Sequence, residues 1–288
     1  RDAGEHGLCC RHAGFRLHSV PDCQSIIKKA IVERLKSHYH IGWFEETGAT
    51  FQVQFTLRRD EATLLIDTSG AGLHKRGYRQ NAGGAPIKET LAAAMVDLTR
   101  ARNAAHVYDP CCGSGTLLIE AALAAKRIAP GIRRRFTFMD WDCVPDEVWR
   151  AERTRAMEME QRDRAFSAWG GDIDPHAVEI ARHNAELAEV DDTVRFEVDD
   201  ATRFHWGGQY GRVVTNPPYG ERLLEKKEAE ELYRTFGAAL RDLPPKWRVL
   251  VLSSHTEFER CFGRIADKKR KLYNGMLKCD LFMYGKRV

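Results

Sequence analysis

Val107-Tyr108-Asp109-Pro110-Cys111-Cys112-Gly113-Ser114-Gly115-Thr116 joins a short apolar strand to a strong helix former through two glycines. Asp109-Pro110 ends the strand, because proline has no N–H for the next ladder position. Gly113 and Gly115 let the backbone turn tightly and pass close to a ligand. From Thr116 onward, TLLIEAALAA combines good helix formers with apolar spacings of three and four. Strand, glycine loop and helix together aim backbone N–H groups at a ligand. A plain βα turn in a parallel sheet fits the same residues. A dinucleotide fingerprint would place a third glycine at position 118, where Leu118 stands, so a pyrophosphate cradle is disfavoured.

A second stretch narrows the choice. Val213-Val214-Thr215-Asn216-Pro217-Pro218-Tyr219-Gly220 runs a strand into a loop that two prolines stiffen. Between the two loops, Gly170-Gly171-Asp172-Ile173-Asp174-Pro175 closes another strand on acids. Glycine loop, acidic strand end and Asn-Pro-Pro-Tyr, in that order, resemble the S-adenosylmethionine-dependent methyltransferases that modify exocyclic amines of bases. That resemblance implies S-adenosylmethionine as cofactor.

The chain has 288 residues, 43% hydrophobic and 30% charged, enough to bury one large core or two modest ones. No run of 18 apolar residues and no secretory signal is present. Eight cysteines, at 9, 10, 23, 111, 112, 143, 261 and 279, form no C-x-x-C pair and suit neither zinc nor a disulfide framework. Reduced thiols in a cytoplasmic protein are expected, with no metal and no membrane partner. Net charge is only +4, but residues 264–288 hold eight Lys/Arg against two acids, including Lys268-Lys269-Arg270-Lys271. Arg133-Arg134-Arg135 is a second basic run. Clustered on one surface, such runs would attract phosphates. Nothing in the sequence fixes an oligomeric state.

Residues 1–16 have no clear periodicity and stay unassigned. The chain starts at Arg1 rather than Met, which leads to the expectation of a fragment. A helix is expected over 21–39, with Ile26, Ile27, Ala30, Ile31, Arg34 and Leu35 on one stripe. Alternating strands over 50–58 and 62–67 follow, joined by Arg59-Asp60-Glu61. Residues 70–86 are rich in glycine and basic residues and read as a linker or binding loop. From 87 to 288 the pattern predicts a helix over 88–100, the glycine loop with its helix, and a charged helical run over 147–166. Further strands are expected at 194–198, 212–215 and 248–253, helices at 175–188, 228–241 and 257–262, and a closing hairpin at Asn274-Gly275. Alternating βα units with an antiparallel end predict an α/β fold with a Rossmann-like sheet.

HSVPDCQSIIKKAIVERL, ETGATFQVQF, IDTSGAGLHKRGYR and APIKETLAAAMV, together with the loops above, resemble the bacterial THUMP-containing 23S rRNA guanine-N2 methyltransferase family. Its members often carry an N6-adenine-specific DNA methylase label. The resemblance runs from about Leu17 to the C-terminus. It implies a partial THUMP-like α+β module over 17–69, a linker over 70–86 and a methyltransferase domain over 87–288, with large-subunit rRNA as partner.

Site residues follow from this likeness. Asp109, Pro110, Gly113, Ser114, Gly115 and Thr116 are expected against the methionine end of the cofactor, with Asp109 accepting from its ammonium. Cys111 and Cys112 are expected to pack rather than react. Asp172 is expected on the ribose diol, with Asp174 as an alternative that suits a helix N-terminus better. Asp200 is expected on the adenine amine, or else as a turn acid. The Asn216 side chain and the Pro217 carbonyl would accept from the target amine, Pro218 would stiffen the loop, and Tyr219 would stack on the base or pack in the core. His74, Lys75, Arg76 and Arg79 are candidate phosphate contacts, or linker structure. Guanine N2 of 23S rRNA is the leading target. The rivals are adenine-N6 on DNA, guanine-N2 on tRNA, and a non-catalytic RNA-binding assembly factor that has kept the fold.

Overall fold

The computed structural model describes residues 19–45, 47–59, 61–79, 86–100, 106–219 and 226–285. The unassigned stretch 1–16, residues 80–85 of the linker, Asp60 and Gly220 lie outside the described residues. The chain forms two compact units. One runs up to Ala71 and takes in Arg135–Val148; the other comprises Gly72–Arg134 and Trp149–Val288.

In the first unit, α1 (Val20–Tyr39) starts where the Ser19 hydroxyl accepts from the Asp22 N–H, with Pro21 in its first turn. It stops at His40, which turns left-handed and returns its N–H to the Lys36 carbonyl. Strands β1 (Gln52–Arg58) and β2 (Glu61–Asp67) form a hairpin in which Phe55 is buried. Residues 135–148, expected within the methyltransferase part, group with this unit instead. Trp141 stacks on Phe51 and donates its indole N–H to the Thr50 carbonyl at 3.0 Å.

The second unit is a three-layer sandwich. Its strands are β3 (His106–Asp109), β4 (Ser167–Asp172), β5 (Val194–Val198), β6 (Arg212–Thr215), β7 (Arg248–Ser253), β8 (Lys268–Asn274) and β9 (Leu277–Tyr284). They lie in the order β5-β4-β3-β6-β7-β9-β8, the first five parallel and the β8–β9 hairpin antiparallel. Helices α2 (Glu89–Thr99), α3 (Thr116–Ala125) and α5 (Pro175–Ala188) share one core with one sheet face. Helices α6 (Lys226–Ala239) and α7 (Phe258–Phe262) share a second, aromatic core with the other. Nine of the ten residues of α3 are buried, so this helix is enclosed on nearly every side, with Glu120 the one charged residue among them.

The charged run expected to stay helical to 166 stops early. Helix α4 (Asp146–Glu158) buries none of its residues. Beyond it, the Gln161 N–H donates to the Lys126 carbonyl (2.7 Å) and Arg164 to the Ala125 carbonyl (3.1 Å). Capping the end of α3 diverts the chain from helical geometry.

Candidate active site

Neighbouring strands bring the two marked loops together. In β3, Val107 and Tyr108 pair with Arg212 and Val213 of β6. The chain has gone out through β4 and β5 before returning to β6, so β3 lies at the switch point of the sheet. Crevices at the carboxyl ends of strands open at such points.

Cross-loop hydrogen bonds hold the glycine loop open. The Cys112 N–H donates to the Gly171 carbonyl (2.9 Å) and the Gly113 N–H to Asp172 Oδ2 (2.8 Å). Asn184 of α5 donates to the Ser114 carbonyl (2.9 Å). Gly113 and Gly115 both adopt positive φ, +51° and +79°. Their demands differ: a Cβ on Gly113 would meet nothing within 4 Å, whereas one on Gly115 would sit 2.7 Å from Phe196 Cζ and 3.1 Å from Ala181 Cβ. Thr116 Oγ1 lies 3.1 Å from Ser114 Oγ and within 3.5 Å of Arg79.

Asp109 is 1% exposed, and the Cys111 N–H donates to it at 3.3 Å. Burial pushes its carboxyl up to about 7; the Thr215 hydroxyl and the Cys111 N–H oppose the shift and nearby Asp172 adds to it. Among the described residues no cation pairs with this buried carboxylate, an arrangement that suits a ligand ammonium. Burial likewise raises the thiols of Cys111 and Cys112, so both remain protonated and pack. Asp172 ties two loops together, because its other oxygen accepts from the Asp174 N–H at 3.1 Å. Asp174 caps α5 by accepting from the His176 N–H. Asp200 caps a short 3₁₀ turn (Ala201–Arg203), accepting from the Thr202 N–H and hydroxyl, which lowers its carboxyl below the usual range.

The Asn-Pro-Pro-Tyr loop follows β6 directly. Asn216, Pro218 and Tyr219 are half-buried and Pro217 is buried. The Tyr219 hydroxyl donates to Asn216 Oδ1, and its ring packs on the core shared by α2, α3 and α5. Burial, with Cys279 adding, pushes that hydroxyl well above its ordinary value, so it remains a donor. Two residues without a motif support the loop from behind. Tyr233 of α6, fully buried, donates to the Pro218 carbonyl at 2.7 Å and lies 3.3 Å from Ser253 Oγ at the end of β7. In the sequence Tyr233 reads only as one apolar position of an amphipathic helix.

The four basic residues at 74, 75, 76 and 79 part company, and burial with the cations around it holds the His74 imidazole below its ordinary value. Arg76 pairs with Glu120 (3.3 Å), which also accepts from the buried Tyr78 hydroxyl (3.0 Å). Arg79 pairs with Glu89 (3.1 Å) and donates to the Ile87 carbonyl (2.8 Å). Glu120 and Glu89 are 3% and 2% exposed. Both guanidiniums thus neutralise buried acids. Lys75 is exposed, and His74 is half-buried. Among the described residues no cluster of His, Cys, Asp or Glu could hold a metal ion, and no helix is long and apolar enough to cross a membrane.

Residues 76–282 match the family described as RMKL-like, methyltransferase domain. The chain belongs to this family. YpsC of Bacillus subtilis (strain 168), named provisionally as an RNA methyltransferase, is 47% identical over 274 residues, covering 94% of this chain and 71% of the relative. The ribosomal RNA large subunit methyltransferase K/L of Psychromonas ingrahamii is 37% identical over 90% of this chain, which spans only 35% of that relative. Among solved structures, SMU.472, provisionally named a methyltransferase and solved with S-adenosylhomocysteine, is 41% identical with a TM-score of 0.85, covering 95% of this chain and 72% of that one. As an RMKL-like methyltransferase domain, the chain takes its methyl group from S-adenosylmethionine.

Asp109 would hold the ammonium of that cofactor, and the strand-end carboxylate Asp172 its hydroxyls. Affinity is therefore expected to depend on pH. Below about pH 7, Asp109 must first lose a proton to accept from a cation, so affinity should fall toward tenfold per unit as pH drops from 7 to 5.5. Above 7 this contribution levels off. In the cofactor-free protein the same raised group destabilises the fold as pH rises from about 4 to about 7, because the folded state keeps a proton that the unfolded chain has released. Asp109→Asn should remove both slopes. Calorimetric titrations and thermal melts across this range check the assignment, and an unchanged affinity slope in the variant would overturn it.

Tyr233→Phe should slow methyl transfer several-fold and leave cofactor affinity alone. The lost O–H···O=C bond contributes on the order of 1 kcal/mol to fixing the Pro218 carbonyl. Equal single-turnover rates for variant and parent would show that the loop holds its shape without it.

Proposed function

We propose that this methyltransferase acts on RNA, adding a methyl group to the exocyclic N2 amine of a guanine in large-subunit rRNA. The observation that carries the reading is the β3–β6 pairing, which starts the Asn-Pro-Pro-Tyr loop beside the glycine loop. The cofactor supplies a methyl group on a sulfonium. The target nitrogen shares its lone pair with the ring, so acceptors on its N–H bonds must orient it and stabilise the charge that develops. Asn216 Oδ1 and the Pro217 carbonyl take those parts. Tyr219 leaves Asn216 and stacks on the base once the base has left its own stack. No strong general base is required, because the methylated nitrogen loses its proton readily.

Support for the RNA target comes from the K/L relatives, whose name specifies large-subunit ribosomal RNA. In this reading the hairpin unit is a partial THUMP-like RNA-binding module and the enzyme works in the cytoplasm. Lys75 and His74 meet phosphates, while Arg76 and Arg79 hold their segment in place through Glu120 and Glu89. Asp109, Pro110 and residues 113–116 bind the methionine end, Asp172 the ribose and Asp200 the adenine amine.

The test is transfer of labelled methyl to deproteinised large-subunit rRNA, to tRNA and to DNA in parallel, followed by nuclease digestion and mass identification. Label in N2-methylguanosine supports the reading. Label in N6-methyladenosine would correct the base, and label in tRNA alone would correct the RNA. Transfer to DNA alone would correct the polymer, and cofactor binding without transfer to any of them would favour the assembly factor.

A further inference from the structure

At the far end of the sheet from the active site lies a cavity of about 310 Å³. Arg100, Arg248, Lys268 and Arg270 line it over a floor that includes Leu250 and Met283. Arg248 opens β7 and Ser253 closes it. At the rise of a β-strand, the cavity is roughly 17 Å from the carboxyl ends where the catalytic loops begin.

Register explains why these cations meet. Across the β8–β9 pair, Lys268 stands opposite Met283 and Arg270 opposite Leu281. Leu281 belongs to the core under α2 and α3, so Lys268 and Arg270 point to that face. Lys271 lies opposite Asp280, on the other face with Phe282. Arg100, just past α2, and Arg248 reach the same space.

Among the described residues, no carboxylate pairs with these four side chains. The acid on the cavity wall, Asp267, accepts from the Gly285 N–H at 2.7 Å and pairs with Arg264 at 3.9 Å. Like charges gathered this way repel. Half-buried Arg212, which donates to the Thr99 and Gly211 carbonyls, is held below its ordinary value by its partial burial and then by the Arg248 charge. Charged side chains on an edge strand discourage pairing between sheets. That accounts for lysines on β8 but not for Arg248, which sits on β7 between two other strands. Guanidiniums and ammoniums around a small concave space suit a phosphate.

We propose that this cavity holds backbone phosphates of the RNA substrate, anchoring it at the end of the sheet opposite the reacting base. The inference rests on the RNA reading above, and the experiment separates the two. Each phosphate contact adds about 0.7 to the slope of log affinity against log salt on single-stranded RNA.

The full chain is titrated with a large-subunit rRNA fragment at several salt concentrations. Lys268→Gln/Arg270→Gln is compared with Lys271→Gln/Lys278→Gln, which removes equal charge from the opposite face of the same hairpin. The first pair is expected to lose about tenfold or more in affinity at low salt and about 1.4 in slope. The second is expected to stay within about twofold of the parent and to transfer methyl at the parent rate. Equal losses in the two pairs would mean that only net charge matters and would overturn the proposal. So would parent-like RNA binding by Lys268→Gln/Arg270→Gln, even if that pair lost micromolar binding of inorganic phosphate, since the cavity would then serve a free anion. A parent that methylates no RNA at all would remove the RNA reading itself.

Discussion

Asn216→Ala should lower the rate of methyl transfer by two or more orders of magnitude and leave affinity for S-adenosylmethionine unchanged. The alanine removes the acceptor that orients the target amine, an effect on the order of 3 kcal/mol of transition-state stabilisation. It touches neither the glycine loop nor Asp172, whose hydrogen bonds run to β4 and α5. It also frees the Tyr219 hydroxyl, which donates to Asn216. Two companions resolve that second effect. Tyr219→Ala should slow transfer by weakening capture of the base, since stacking contributes roughly 1–3 kcal/mol. Tyr219→Phe keeps the ring and releases Asn216 from its resting partner, so its effect should be mild. Single-turnover transfer to an rRNA fragment, with cofactor affinity measured separately, reads all three. Transfer by Asn216→Ala at the parent rate would remove the amine-orienting role of the loop, and with it the main ground for a base-amine substrate.

Gly115→Val should abolish detectable cofactor binding, a loss of at least a hundredfold, and lower the melting temperature by several degrees. Two costs add. Position 115 holds φ at +79°, where a β-branched residue is a conformational outlier. The new Cβ would also stand 2.7 Å from Phe196 Cζ and 3.0 Å from its Cε1, and Phe196 is buried with no room to retreat. Gly113→Ala is the contrast. Its φ of +51° strains an alanine, but the Cβ meets no protein atom within 4 Å. That variant should fold and lose affinity by a smaller factor. Parent-like affinity in a folded Gly115→Val protein, measured by calorimetry, would detach the glycine loop from the cofactor.

The difference between those two glycines marks where local chemistry stops being informative. Both read alike in Gly-Ser-Gly, and only the packing of Phe196 and Ala181 separates them. The strands, the helices and the two loops were legible because proline, glycine and hydrophobic period act over a few residues. Asp174-Pro175 starts α5 and Asn274-Gly275 turns β8 into β9, as their side chains dictate. Length of helix was less legible: the 147–166 run is charged and helix-forming throughout, yet the carbonyls at the end of α3 draw its second half away.

Partners of charges were not legible at all. Arg76 and Arg79 stand in one basic segment with His74 and Lys75, yet only the packing of α2 and α3 brings Glu89 and Glu120 to the two arginines, the latter from 44 residues away. The Lys268–Lys271 run is likewise divided by the pleat, and half of it joins Arg100 and Arg248. Sequence by itself determined which elements form and which two loops carry chemistry, because turn and period are local properties. Tertiary structure alone decided that the loops adjoin and that Tyr233 supports the Asn-Pro-Pro-Tyr loop from behind. The first depends on strand order in the sheet and the second on how α6 packs against it, and both fix neighbours across distances that no local pattern spans.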